Sequence, residues 1–289
     1  MKKYLLIISN VILFILCIYT FINMKFTYNY FRINTSSDIN IKKKEIHDLN
    51  KENIKINNKI EYVHMESEKV KIPILMYHSI SDINPMNSLL IPEKQFEEEI
   101  KWLRDNNFTP MLLSEVVQSI RTGKVPKRPV AITFDDGYFD NYTDAYRILK
   151  KYNMIATFFI VTDYVGKDSM YMNLDNLKEM KSNGMAIENH TSDHLRLYFK
   201  TKDQQKKAIK EAKEYLKENL NIDNKYVCYP VGRYNKATIE VAKELGMEAA
   251  VTTKNGFASN DDGLLSLDRI RIKPMSIEKF KEYFKEYMK

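Results

Sequence analysis

The sequence predicts an α/β fold: a distorted (β/α) barrel of about seven repeats, preceded by an N-terminal transmembrane helix and a stalk. Three observations carry this. From residue 71 onward, short apolar runs alternate with amphipathic stretches, the pattern of parallel strands joined by crossover helices. The units number about seven, for which closure into a barrel is the natural arrangement. An apolar run of membrane-spanning length opens the chain, and a polar stretch follows it.

The predicted strands are 72–77, 130–134, 156–161, 185–188, 226–229, 248–252 and 267–272. The predicted helices are 93–106, 113–122, 141–151, 174–183, 202–220, 236–245 and 277–288. Asn153, Gly184 and Gly246 stand near helix ends, where a left-handed residue commonly closes the last turn. In such barrels the chemistry sits at the C-terminal ends of the strands.

At the N-terminus, Lys2 and Lys3 precede an apolar run over 4–22 whose few polar members are Ser9, Asn10 and Thr20. Roughly 20 residues cross a hydrocarbon core as a helix. The run is long for a signal peptide and no small-residue cleavage site follows it. Residues 1–24 are therefore expected to anchor the chain, with a cleaved signal as the alternative. The leading lysines place the N-terminus inside and the bulk outside the cell. Residues 25–70 contain no Pro or Gly. They are expected to form a stalk or a flexible linker, and 71–289 the functional domain.

Composition narrows the partners. The 289 residues carry a net charge of +7, but Lys alternates with Glu over 206–217, as on a solvated helix face. No basic block with interleaved aromatics appears, so nucleic acid is not an expected partner. Cys17 and Cys228 fall in different segments and imply no disulfide framework.

Four segments carry chemistry. Thr133-Phe134-Asp135-Asp136-Gly137 follows a buried-strand pattern. Two adjacent carboxylates repel unless a cation relieves them, which suggests one ligand and one base. The plain alternative is an Asp-Asp-Gly turn, with Gly137 permitting a sharp bend. Second, His190 and His194 stand at i and i+4 after another strand, and the chain has only five histidines. Two imidazoles converge on one metal if the segment makes a helical turn, and they suit Zn²⁺. Third, His78 ends the first strand. It is either a rim residue or a general acid, since His titrates near neutrality. Fourth, Tyr229-Pro230-Val231-Gly232-Arg233-Tyr234-Asn235 can aim a backbone N–H at an oxyanion. Alternatively it is an ordinary turn, with Asn235 capping the next helix.

These segments, in this order, resemble the polysaccharide deacetylases, carbohydrate esterase family 4, over roughly residues 72–275. The resemblance implies that Asp136, His190 and His194 hold a divalent metal, Zn with Co or Ni as alternatives. It makes Asp135 the base and the Val231 N–H the oxyanion donor. Two departures stand out. Cys228 occupies a position where the family often has Arg, and no His follows His194. The early Met76-Tyr77-His78 is similar to the biofilm poly-β-1,6-N-acetylglucosamine deacetylases, in which the barrel order is rearranged and the early His is the acid. Tyr138, Tyr142, Tyr229 and Tyr234 become candidates for sugar stacking. The expected activity is metal-dependent N-deacetylation of an extracellular N-acetylated polysaccharide. Peptidoglycan or chitin oligomers are alternative substrates, and a non-catalytic glycan-binding module is the alternative of another class.

Overall fold

The computed structural model describes residues 60–84 and 86–288. The apolar run 4–22 and the expected stalk up to residue 59 lie outside them. Among the described residues, no helix is long and apolar enough to cross a membrane.

Seven parallel strands close a barrel: β1 (Ile74–Tyr77), β2 (Pro129–Phe134), β3 (Thr157–Ile160), β4 (Ala186–Asn189), β5 (Tyr226–Cys228), β6 (Ala249–Asn255) and β7 (Leu267–Arg271). Spatial order follows sequence order, and β1 pairs with both β2 and β7. Alternation along each strand sorts its side chains. On β2, Val130, Ile132 and Phe134 face the helices, while Thr133, and Asp135 just beyond the strand, meet Arg269 inside the barrel.

Helices α1 (Glu93–Asp105) and α2 (Leu113–Thr122) connect β1 to β2. A π turn, Asn141–Tyr146, leads into α3 (Arg147–Lys151). Then come α4 (Leu174–Ser182), α5 (Lys202–Leu220), α6 (Lys236–Glu244) and α7 (Ile277–Glu282). Helix starts are written in the sequence: Asn173, Thr201 and Asn235 each accept a hydrogen bond from the backbone N–H three residues on, satisfying a donor the helix itself cannot. Two 3-10 turns, Asn260–Asp262 and Leu264–Ser266, replace a helix between β6 and β7, which is the distortion of the barrel.

Several boundaries differ from expectation for local reasons. The strand expected over 72–77 breaks at Pro73, which has no N–H to give a ladder. Lys71–Ile72 pairs antiparallel with Ala258–Ser259 instead. The helix expected over 141–151 divides into the π turn and α3. The last helix stops at Glu282, and a 3-10 turn follows at Lys285–Met288. Thr109–Met111, with its Pro, gave no strand signal yet pairs with β2. Tyr62–His64 pairs with Lys124–Pro126, so residues 61–70, expected to end the stalk, lie within the compact unit that starts at Glu61.

Beneath the site, α1 is tied to β1 by a buried polar group. Glu99 is fully buried and accepts from Tyr77 and from Gln95, each at 2.8 Å. Burial pushes its carboxyl up to about 7, against those two hydrogen bonds. The unfolded chain releases this proton near pH 4.3, so stability falls as pH rises from there through about 7. Glu99→Gln is expected to be more stable than the parent at about pH 8, by roughly 1–3 kcal/mol, and no more stable at about pH 4. Urea unfolding at both pH values checks this; a gap that does not change with pH sinks it.

Candidate active site at the C-terminal mouth of the barrel

The loops after β1, β2, β4 and β5 bring the four sequence segments together. Asp136, His190 and His194 converge: Asp136 Oδ1 lies 3.3 Å from each Nε2, and the three ligand atoms fall within 4.8 Å of one another. The histidines do not converge by a helical turn, as the i, i+4 spacing suggested. Left-handed backbone at Thr191 (φ 66°) and His194 (φ 59°) folds the segment back instead. Asn189 supports the turn by accepting from the Thr191 N–H at 2.7 Å. Asp136 (φ 74°) and Val231 (φ 57°) are also left-handed, a conformation that is an outlier for a β-branched residue. Such strain concentrates at functional sites.

The three residues fit a divalent metal. His190 Nδ1 donates to the Cys228 carbonyl at 2.8 Å, which fixes the tautomer and turns the Nε2 lone pair toward Asp136. Asp136 Oδ1 is buried and takes no hydrogen bond. Burial opposes charge on His190, but Cys228 and Asp136 outweigh it and raise its pKa. Arg269 pairs with Asp135 and not with Asp136, so the Asp136 carboxylate and the two Nε2 atoms around it are left facing a point that suits a cation. One carboxylate and two imidazoles form a donor set that suits zinc with a position left open.

Asp135 belongs to a different network. Arg269, fully buried on β7, grips it with two hydrogen bonds of 2.8 and 2.7 Å. Burial alone would raise the Asp135 carboxyl, but the guanidinium outweighs it and holds the pKa well below the usual range. Arg269 also donates to the Thr252 carbonyl and to Thr133 Oγ1. Cys228 Sγ sits 3.2 Å from the same guanidinium. The partner missing at position 228 is thus supplied from β7. Arg269 and Arg271 alternate within the predicted strand 267–272, which marks them as unusual there but does not point to Asp135.

His78 Nε2 lies 3.9 Å from Asp135 Oδ2. Burial lowers its pKa. Asn141 Nδ2, fully buried, donates to the His78 carbonyl at 2.7 Å and fixes the loop that carries the ring. Val231 sits in a single 3-10 turn, Pro230–Gly232, in which Pro230 has no N–H and the Gly232 N–H donates to the Tyr229 carbonyl at 2.8 Å.

The tyrosines divide. Tyr138 lies at the site: burial and Asp136 both raise its phenol, and its ring stacks on Tyr171 at 5.6 Å. Tyr229 is a correction, since it is fully buried, donates to the Leu265 carbonyl and stacks on Tyr234; no sugar reaches it. Tyr142 donates to Glu179 on α4 and packs on Tyr146, so it faces the helical layer rather than the mouth. Tyr234 is partly exposed above Tyr229. Asn235 does cap α6, as the plain reading of its segment held.

A parallel barrel with an Asp-His-His group and a guanidinium-locked carboxylate at its C-terminal mouth fits the class of metal-dependent hydrolases. The particular family follows from comparison. The polysaccharide deacetylase family model matches residues 122–250. YxkH of Bacillus subtilis, named for that family, is 42% identical over 212 residues, 73% of this chain and 75% of its own. The poly-β-1,6-N-acetyl-D-glucosamine N-deacetylase of Staphylococcus aureus is 30% identical over 231 residues, 71% of this chain and 79% of its own. The structure of Streptococcus pyogenes deacetylase PplD, in complex with acetate, superposes with a TM-score of 0.71 at 38% identity, covering 74% of this chain and 97% of that one. The chain belongs to the polysaccharide deacetylase family, hydrolases that act on carbon–nitrogen bonds other than peptide bonds.

Proposed function

We propose that this chain removes N-acetyl groups from an extracellular N-acetylglucosamine polymer, with Asp136, His190 and His194 holding zinc or a similar ion. The observation that carries this is the convergence of those three residues beside an ionised Asp135 and His78. A bound ion would acidify a water and polarise the acetyl carbonyl. Asp135 takes the water's proton. Arg269 keeps it ionised and oriented, at the cost of basicity, which suits it to a water already acidified. The Val231 N–H donates to the carbonyl oxygen as negative charge grows there. His78 delivers a proton to the leaving amine, so the products are acetate and a glucosamine unit. Tyr138 offers a ring at the mouth for a sugar face.

Poly-β-1,6-N-acetylglucosamine is the substrate we favour, supported by the Staphylococcus aureus relative and the early His78. Peptidoglycan N-acetylglucosamine is a second reading, favoured by Arg271, whose side chain is treated below. The apolar run 4–22 behind Lys2 and Lys3 supports a single-pass anchor with the domain outside the cell and 25–60 as a spacer. Protease accessibility of the domain in intact cells tests that placement.

Acetate release by the full-length chain tests the activity. Release from the neutral polymer is expected to stop with chelator, to return with Zn²⁺, and to fall about 100-fold or more in His78→Ala. Release that persists in His78→Ala would reassign the acid. Acetate from peptidoglycan alone would move the protein to the wall.

A further inference from the structure

We propose that Arg271 forms a subsite for an anionic group, a carboxylate or a phosphate, on the glycan unit beside the acetamide that is hydrolysed. The proposal rests on the deacetylase reading and names a feature of its substrate.

Placement comes first. Arg269 points into the barrel and reaches Asp135, whereas Ile270 packs outward among the helices. Arg271, the last residue of β7, therefore points inward again. It lies one pleat nearer the mouth, roughly 7 Å along the strand. Its register partner on β1 is Met76, two residues before His78. Met76 in turn pairs with Thr133 on β2, so the Arg271 backbone stands level with the strand residues that lead to His78 and Asp135.

Its bonding is the second observation. Arg271 Nε is buried and has no hydrogen-bond partner. Among the described residues, Arg104, Arg121, Arg147 and Arg269 are each paired with a carboxylate, Arg128 donates to two backbone carbonyls, and Arg196 and Arg233 are exposed to water; Arg271 has no carboxylate within ion-pair distance. Its side chain is only partly buried, so part of it meets solvent. An unpaired guanidinium with a dehydrated Nε is costly, and the cost is recovered when an anion accepts from it. The planar fork of donors matches the two oxygens of a carboxylate or phosphate. The neutral poly-β-1,6-N-acetylglucosamine favoured above offers no such group, so a dependence of turnover on Arg271 would favour the peptidoglycan reading over it. An N-acetylated glycan with a carboxyl-bearing or phosphorylated neighbouring sugar offers one.

The experiment compares full-length wild type with Arg271→Gln and Arg271→Lys on three N-acetylated glycans: neutral, carboxylated and phosphorylated. On the anionic glycan that fits, Arg271→Gln is expected to raise KM tenfold or more, with kcat within threefold. Arg271→Lys recovers part of the loss, and the neutral glycan shows no change. Which anionic glycan responds separates carboxylate from phosphate. Equal effects of Arg271→Gln on all three glycans, or no effect on any, overturns the subsite. Equilibrium binding of the anionic fragments is measured in parallel, with the zinc-loaded protein. If wild type releases no acetate at all, the deacetylase reading fails. The subsite then stands or falls on whether Arg271→Gln weakens that binding tenfold.

Discussion

Arg269→Met is expected to lower the stability of the domain by about 3–5 kcal/mol, because it leaves Asp135 buried and unpaired. For a domain of this size that corresponds to a fall in Tm of roughly 10 °C. Acetate release should disappear with it. The sign of the pH dependence identifies the cause. In the parent, the depressed Asp135 pKa contributes stability above the unfolded carboxyl value of about 3.9, and that contribution is lost as pH falls through the folded value. In Arg269→Met, burial alone acts and raises the Asp135 pKa, so the variant loses stability as pH rises. The gap between the two should therefore widen from acid to neutral pH. Adding Asp135→Asn to Arg269→Met should recover much of the stability and none of the activity. Thermal melts of the two single variants and the double variant decide the matter; a Tm for Arg269→Met within about 2 °C of the parent would count against the pairing as the main role of Arg269.

The second large effect is on metal. Asp136→Asn keeps the shape of the side chain but removes the one anionic ligand. Zinc affinity, read by competition with a chromogenic chelator, is expected to fall by a factor on the order of 100 or more. Acetate release should fall on the order of a thousandfold, equivalent to about 4 kcal/mol of transition-state stabilisation. The metal-free protein should fold as well as the parent, since Asp136 Oδ1 has no hydrogen bond to lose. Unchanged zinc affinity in Asp136→Asn would mean that the ion binds elsewhere.

Much of this was legible in the sequence. All seven barrel strands were found because buried parallel strands leave compact apolar runs between helix caps. Asp135, Asp136, His190 and His194 stood out because carboxylates and imidazoles at strand ends serve few purposes other than chemistry. What escaped depended on long-range or backbone geometry. Arg269 reaches Asp135 across 134 positions, and nothing local marks that pairing. The left-handed turns at Thr191 and His194 run against local propensity and persist because the surrounding contacts impose them. Tyr142 and Tyr229 are candidate sugar platforms on ring chemistry alone, yet Tyr229 fills the layer between barrel and helices and Tyr142 packs on Tyr146 and bonds Glu179. Only packing decides which use is made of them.

Because β1 and β7 close the ring, the parts of the catalytic apparatus arrive at very different times as the chain is made. By residue 194 His78 and the proposed metal-binding trio, Asp136, His190 and His194, have all been synthesised. Arg269 and the strand that seals the barrel are made only after them. Until then Asp135 has no counter-ion, β1 has an open edge and the pocket has no wall on that side. A nascent or C-terminally truncated chain can therefore hold metal ligands yet lack a working base.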